Sequence, residues 1–149
     1  MRTRNDLRET FAAIIEGLEN AQKAATPALH KAVEKWAQGV KTQGRANLAR
    51  PSWLLTSSIV DKVIDYSKRG KIWGMTGFER TTNDPRSPGV YGQYHEAGWA
   101  PDRKVVKTPD HFLRRAKLEQ GATLKNDVDA ALQGVLDYFN NAVRRGGKS

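Results

Sequence analysis

The chain has 149 residues and no cysteine, and its 25 basic and 16 acidic side chains give a formal net charge of +9. This length fits one domain with a modest core, and the lack of cysteine excludes disulfides, thiolate metal sites and cysteine catalysis. The longest apolar run, Phe11 to Ile15, has five residues, so we expect no membrane-spanning helix and no secretory signal. The basic charge suggests a polyanionic or acidic partner.

The N-terminal third has a helical pattern, in which apolar side chains recur at spacings of three and four from Leu7 to Val40. Thr26-Pro27 favours the start of a second helix, since threonine caps helices and proline suits the first helical position. A single long helix through Pro27 is the alternative. We therefore expect a long N-terminal helix or helix pair within a single domain over 1–149, with residues 1–25 as a possible helical extension.

The centre of the chain is rich in β-forming residues, glycine and proline. Residues 54–66 suit either a short helix or a strand, whereas residues 71–78 follow a turn-like Lys68-Arg69-Gly70 and suit a strand. Residues 79–89 form a polar stretch with two prolines, which predicts a mobile or functional loop. A short helix from Val90 to Glu96 and a short strand over 104–107 are expected next.

The C-terminal part is predicted to be helical in two pieces. Thr108-Pro109-Asp110 would start a helix through Leu118, and Thr123 would cap a last amphipathic helix that ends at Arg144-Arg145-Gly146-Gly147. The order of elements predicts an α+β fold: a long N-terminal helix or helix pair, a small central antiparallel β-sheet with a long loop, and a C-terminal amphipathic helix packed on the sheet.

Catalytic and metal-binding motifs are not visible. His30, His95 and His111 do not pair at a helical spacing, and no phosphate-binding glycine loop or nucleophile elbow occurs. His95-Glu96 and Asp110-His111 keep a hydrolase or nuclease hypothesis open, because they would form a metal or acid–base site if the fold brought them together. We expect a protein that is not an enzyme and that uses no cofactor and no metal.

The basic residues form short clusters rather than a long tail. Each cluster is either a solvated face or a surface that lies beside phosphate without reading sequence. The candidates that would face DNA or an acidic partner are Lys68, Arg69, Lys71, Arg103, Lys104, Lys107, Arg114 and Arg115. Aromatic residues near some of these clusters suit base stacking or simple hydrophobic anchoring, and a small basic nucleic-acid-binding protein is the alternative function.

Residues 90–117 are the most informative segment. The motif residues are Tyr91, Tyr94, Glu96 and Gly98, followed after a basic linker by Pro109, Phe112, Leu113 and Ala116. This segment resembles the tail-completion, or head–tail joining (neck), family of long-tailed bacteriophages. In that family a tyrosine-rich helical turn runs into Glu-x-Gly, and Pro-x-Phe-Leu-x-x-Ala then leads into a long C-terminal helix. Two residues separate Pro109 from Phe112, where the family more often has one or none.

Physical chemistry gives the same motif residues plausible roles. Gly98 permits a turn that a side chain would block, and Tyr91 and Tyr94 share one helical face. We expect Glu96 to pair with a basic residue or to cap nearby backbone. The apolar residues of the motif suit either the core of the monomer or a subunit interface.

The resemblance implies a structural virion protein that assembles by self-association. It implies a ring, expected to be a hexamer, that joins the phage head connector or adaptor to the tail terminator or tube and lets DNA pass without specific binding. The protein would be located in the virion, after assembly in the host cytoplasm, with no membrane partner. A closed ring needs two different faces on each subunit, and the candidate interface residues are Leu7, Phe11, Ile14, Leu18, Pro85 and Pro88.

Overall fold

A computed structural model of the chain describes residues 4–48, 53–79, 82, 84, 86–97 and 111–146. The elements are α1 (Arg4–Ala46), α2 (Trp53–Ser57), β1 (Ile59–Tyr66), a 3-10 turn (Ser67–Arg69), β2 (Lys71–Phe78), α3 (Pro88–Ala97) and α4 (Phe112–Gly146). This confirms the predicted α+β class, with a long N-terminal helix, a small antiparallel sheet and a long C-terminal helix packed against it. No helix among these described residues has the length and apolar character of a membrane span.

Two predicted helix breaks do not occur. Of the two alternatives at Pro27, the second helix is wrong and the single long helix is confirmed, because α1 continues through this residue. The Thr26 hydroxyl donates to the Gln22 carbonyl (3.0 Å), a bond made inside a helix rather than an N-cap. The break near Gly121 is also wrong, because α4 runs through that residue. A helical glycine costs only about 1 kcal/mol relative to alanine, and good helix formers on both sides of Gly121 outweigh that cost.

The ambiguous segment 54–66 contains both expected structures in succession. α2 makes little more than one turn, and the hydroxyls of Thr56, Ser57 and Ser58 donate to carbonyls three residues back (3.0, 3.0 and 2.8 Å). Such local bonds compete with helix continuation, and β1 begins at Ile59. Further on, α3 begins at Pro88 rather than Val90, so the predicted loop ends earlier than expected. The predicted strand at 104–107 lies outside the described residues.

β1 and β2 form an antiparallel hairpin in which Ile59 lies opposite Phe78 and Tyr66 opposite Lys71. Gly70 closes the turn with a φ of 67°, a left-handed conformation that glycine adopts at no steric cost. Directly opposed residues share one face of an antiparallel pair. The hairpin therefore has an inner face, which includes Asp61 and Thr76, and an outer face that alternates with it.

Polar contacts fix the inner face of the hairpin to the second half of α1. The buried Thr76 hydroxyl donates to the Ala37 carbonyl at 3.0 Å, and Lys41 forms an ion pair with Asp61. Because these groups are largely shielded from water, losing one partner would leave the other unsatisfied. They set the position of the strands along α1.

A glycine lets α1 approach the hairpin closely. An added Cβ on Gly74 would lie 2.8 Å from Val33 Cγ1 and 3.0 Å from the Trp36 ring, so a larger residue would push the helix away. Farther along α1, Arg45 Nη2 donates to the Ile59 carbonyl at 2.9 Å. The helix and the two strands are thus packed along their shared length.

The core lies where the ends of α1, α2, β1 and α4 meet. Its buried residues are Leu48, Leu55, Ile59, Phe112 and Leu113. The Phe112 ring meets the Phe78 ring edge-on, with centroids 5.8 Å apart and planes at 72°. This contact packs the start of the C-terminal helix against the end of the sheet.

The chain divides into two compact units, which we call the helical unit (Met1–Ala32 with Lys125–Ser149) and the mixed unit (Val33–Leu124). The helical unit contains the first part of α1 and the second part of α4, and residues 1–25 of the predicted extension fall within it. Small residues bring its helices together: Gly17 and Ala21 are buried, and an added Cβ on Gly17 would lie 3.6 Å from the Phe139 ring. The mixed unit contains the hairpin, α2, α3 and the core.

Candidate functional site

The two halves of the sequence motif meet at the junction of α3 and α4. Glu96, near the end of α3, accepts the Leu113 N–H at Oε2 (2.8 Å) and the Arg114 N–H at Oε1 (2.9 Å). These N–H groups belong to the first turn of α4 and have no acceptor within the helix. The negative charge also suits the positive end of the helix dipole. Glu96 therefore caps α4, which is one of the two roles that the sequence left open.

His111 completes this junction. Its N–H donates to the Glu96 carbonyl at 3.2 Å, and its own carbonyl accepts the Arg115 N–H at 2.9 Å as α4 begins. His111 has a φ of 51°, an uncommon conformation for a residue with a side chain. Backbone and side-chain bonds of Glu96 together hold the end of α3 against the start of α4.

The apolar residues of the motif belong to the core of the mixed unit. Phe112, Leu113 and Ala116 are buried, and Phe112 and Leu113 contribute to the core cluster rather than forming an exposed face. An added Cβ on Gly44 would lie 2.6 Å from Leu113 Cδ2, so α1 and α4 approach closely here. This favours the monomer-core role of these residues over a direct subunit contact.

The other motif and interface residues are placed only in part. Tyr94 is half-buried in α3, and Tyr91 lies in the same helix. Pro88 is the half-buried first residue of α3. Several predicted residues lie outside the described part of the chain: Pro85, Gly98, Arg103, Lys104, Lys107 and Pro109.

The first part of α1 presents an exposed apolar stripe. Phe11, Ile15 and Leu18 are exposed, although they follow the spacing of a buried helix face. We call these three residues the α1 stripe. Ile14 beside them is half-buried, and Leu7 lies in α1 one turn before Phe11. Exposed Arg8 lies one turn before Phe11 on the same face, and Glu19 lies beside Leu18, so residues of both charges flank the stripe.

The outer face of the hairpin is a second exposed apolar surface. The residues of this outer hairpin face are Val60, Lys62, Ile64, Tyr66, Lys71, Trp73 and Met75. Tyr66, Trp73 and Met75 are exposed, and the Tyr66 and Trp73 rings meet edge-on at 6.1 Å. The face has two lysines and no acidic side chain, because Asp61 and Asp65 of β1 point to the inner face.

The described basic candidates are all exposed and belong to the mixed unit. They are Lys68, Arg69, Lys71, Arg114 and Arg115. Arg115 also donates to the Asn47 carbonyl at 3.1 Å, which ties it to the end of α1. By sequence the mixed unit has 16 basic and 9 acidic residues, whereas the helical unit has 9 and 7. The positive charge is thus concentrated in the mixed unit.

Of the residues that would form a metal or acid–base site, Glu96 is engaged in capping α4. Within the described residues, no group of three or more histidine, aspartate or glutamate side chains is placed to hold a metal ion. Both oxygens of the Glu96 carboxylate accept backbone N–H groups, and Asp110 lies outside the described residues. In α4, a hydrogen bond and the charge of Asp129 raise the pKa of Lys125 above its usual value. These contacts stabilise the folded chain.

Comparison of the chain with models of known protein families, with curated proteins and with solved structures finds no match. Sequence reasoning missed the outer hairpin face as a surface. No alternation of polar and apolar residues marks it in β1, which reads Ile-Val-Asp-Lys-Val-Ile-Asp-Tyr, so the face emerges only once both segments are treated as strands.

Proposed function

We propose that this protein is a structural virion protein of a tailed bacteriophage, a tail-completion or neck subunit. It would form a ring, expected to be a hexamer, between the head connector or adaptor and the tail terminator or tube, with DNA passing through. The observation that carries the proposal is the junction of α3 and α4. There the motif residue Glu96 binds the first turn of the helix that starts with Phe112 and Leu113, so residues of both motif halves act as one structural element.

Exposed apolar surface supports assembly. Soluble monomers rarely present large contiguous apolar patches unless a partner covers them. Here the α1 stripe and the outer hairpin face both expose large apolar side chains. A ring built from identical subunits needs two different faces on each one, and these two surfaces meet that requirement.

Charge supports a location near DNA. The mixed unit has seven more basic than acidic residues, and exposed cations attract phosphate without sequence preference. A passage for DNA works best with weak, salt-sensitive contacts of this kind. We expect the exposed cations near the hairpin turn, Lys68 and Arg69, to face the DNA path or an acidic neighbouring protein.

Electron microscopy tests the proposal. Purified protein should show rings with a central opening, and gold-labelled antibody against the protein should mark the junction of head and tail in phage particles. Heads purified before tail attachment, and the distal tail tip, serve as controls for the position of the label. A strictly monomeric protein that is absent from particles would overturn the proposal.

The second candidate, a small basic nucleic-acid-binding protein, is supported by exposed Lys71 beside exposed Trp73 on the hairpin. Aromatic rings that alternate with cations suit single strands. If this is the function, the isolated monomer should be retained on DNA at physiological salt, and replacing Lys68, Arg69 and Lys71 by glutamine should abolish retention. Retention without rings or particle association would favour this candidate over the neck protein.

A further inference from the structure

We infer that the end of the helical unit at which α1 begins and α4 ends is a binding site for the phosphates of duplex DNA. We call this end the tip and define it as residues 1–14 and 143–149, of which the structure describes 4–14 and 143–146. None of its basic residues is among those that the sequence predicted to face DNA. The site goes beyond the proposed function, because the free chain would bind DNA there as well as an assembled ring.

The antiparallel packing of α1 and α4 brings the two segments of the tip together. An added Cβ on Gly44, near the end of α1, would contact Leu113 at the start of α4. An added Cβ on Gly17, much earlier in α1, would contact Phe139, which is close to the end of α4. Residue numbers therefore fall along α4 as they rise along α1, and the first turns of α1 lie beside the last turns of α4.

Charge is distributed unevenly within the helical unit. By sequence the tip has six basic and two acidic residues, whereas the rest of the unit, 15–32 and 125–142, has three basic and five acidic residues. The sum over the unit hides this difference, because the opposite charges of the two parts largely cancel. At the tip, Arg8 of α1 and Arg144 of α4 are both exposed. The helical unit thus has one strongly basic end.

Helix stability does not explain the arginines at the start of α1. The N-terminus of a helix is the positive end of its dipole, so cations are unfavourable there. Arg4 is the first residue of α1, and Arg8 follows one turn later. Arg144 and Arg145 suit the negative end of α4, but they add like charges beside those of α1. An anionic ligand at the tip would offset this repulsion.

The chemistry and the spacing of the tip favour phosphate. Five of its six basic residues are arginines, and guanidinium groups form paired hydrogen bonds with phosphate oxygens. The backbone positions of Arg8 and Arg144 are roughly 12 Å apart, from the rise along each helix and the usual distance between packed helices. A duplex has about seven phosphates over that length, so both side chains would find partners without reading the sequence of bases.

Two variants that remove the same charge test the site. Arg8→Gln with Arg144→Gln removes two exposed cations from the tip, and Lys23→Gln with Lys31→Gln removes two exposed cations from the rest of the helical unit. Fluorescence anisotropy of a short labelled DNA duplex of mixed sequence, over a series of salt concentrations, measures the affinity of each. The tip variant should bind about tenfold more weakly or worse, and its slope of log affinity against log salt should fall by about 2. The lysine variant should match the wild type.

Thermal unfolding separates a binding role of the arginines from a structural one. Arg8→Gln should be as stable as the wild type or slightly more stable, since a cation leaves the positive end of α1. A tip variant that loses stability but keeps the DNA affinity and the salt slope of the wild type would overturn the site. Equal losses of affinity in the tip and lysine variants would overturn it too, because DNA would then be attracted by the net charge alone.

A competition experiment tests DNA against an acidic protein as the ligand. Polyglutamate with the same number of charges as the duplex should displace the labelled DNA several-fold less well than unlabelled duplex. The reason is that an extended polypeptide has about one charge per 3.5 Å, whereas a duplex has one per about 1.7 Å. Equal competition by polyglutamate would overturn DNA as the ligand in favour of an acidic protein surface.

The outcomes are separate from those of the proposed function. Rings at the junction of head and tail, formed by a protein whose tip variant binds DNA as the wild type does, would overturn the tip site and leave the neck protein standing. DNA binding that depends on the tip, in a protein that is absent from phage particles, would support the tip site and overturn the neck location.

Discussion

The two units of the chain bury different kinds of residue. The largest fully buried side chains, Phe112, Leu55, Ile59 and Val40, all lie in the mixed unit. Among its described residues the helical unit buries only small ones, and many of its large apolar side chains are exposed, although Ile14 and Phe139 are half-buried. These exposed residues are Phe11, Ile15, Leu18, Leu132, Leu136, Tyr138 and Val143. Both units therefore expose apolar surface, but only the mixed unit fully buries large side chains among the described residues.

The hydrogen bonds show the same contrast. In the mixed unit several of them join different elements, as between Thr76 and Ala37 or between Glu96 and Leu113, beside local pairs such as Gln38 with Glu34. In the described part of the helical unit they include Gln133 with Asp137, four residues apart on one helix. Such pairs contribute only about 0.2–0.5 kcal/mol each. The mixed unit should therefore respond much more strongly to substitution.

The largest expected effect is that of Phe112→Ala. Phe112 is 0% exposed and Phe11 is 64% exposed, so the two residues form a matched pair. Phe112→Ala should lower the free energy of unfolding by about 3–5 kcal/mol, whereas Phe11→Ala should change it by less than about 0.5 kcal/mol. Urea unfolding followed by circular dichroism, on dilute protein, measures both. Equal losses would refute the contrast between the units.

Removing the cap of α4 should have the next largest effect. Glu96→Ala leaves two first-turn N–H groups without their acceptor and should cost about 1–2 kcal/mol. Glu96→Gln retains an acceptor oxygen and should cost less. Glu34→Ala, at an exposed position of α1, is the control and should be close to neutral in thermal unfolding. A Glu96→Ala variant as stable as this control would show that the cap is unimportant.

A substitution that disturbs the close packing around α3 should have a smaller effect on stability. An added Cβ on Gly92 would lie 2.5 Å from the Phe78 ring and 3.0 Å from Leu55 Cδ1. Overpacking costs about 1–3 kcal/mol, and the better helix propensity of alanine returns about 1 kcal/mol. Gly92→Ala should therefore lower the melting temperature by a few degrees. An unchanged or higher melting temperature would mean that the space around α3 is looser than described.

The smallest predicted effect on the free energy of unfolding is an increase rather than a decrease. An added Cβ on Gly134 in the helical unit would meet nothing within 4 Å. Gly134→Ala should therefore stabilise α4 by about 0.5–1 kcal/mol through helix propensity alone. Differential scanning calorimetry of the Gly92→Ala and Gly134→Ala variants should show shifts in opposite directions. A destabilised Gly134→Ala variant would indicate that the helical unit is packed more tightly than the contrast between the units implies.

The sequence predicted the elements well where the signal is local and repeated. Apolar residues every three or four positions indicated α1 and α4, and β-forming residues around Gly70 indicated the hairpin. The sequence-based prediction gave too much weight to single residues that disfavour helices, because Pro27 and Gly121 lie inside continuous helices. In a helix this long, one unfavourable residue costs less than ending the helix and starting another.

The candidate site was less predictable because its residues are distant in sequence. Glu96 caps residues 17 and 18 positions later, and no local pattern marks such a cap. The distribution of charge was also hard to predict: by sequence, residues 1–50 and 101–149 each have a net charge of +4, whereas residues 51–100 have +1. The units regroup the end of α1 and the start of α4 with the centre, and most of the excess positive charge then lies in the mixed unit.

The hydrogen bonds between Glu96 and the start of α4 affect how the length of the connection between α3 and α4 can vary. His111, Leu113 and Arg114 each donate a backbone N–H to Glu96, so the two ends of the connection at residues 98–110 are held together independently of its sequence. The entropy of closing a loop grows only logarithmically, at about 0.6 kcal/mol for each doubling of length. Lengthening the chain between α3 and α4 should therefore cost little free energy of closure, and an inserted tag there should leave the start of α4 in place.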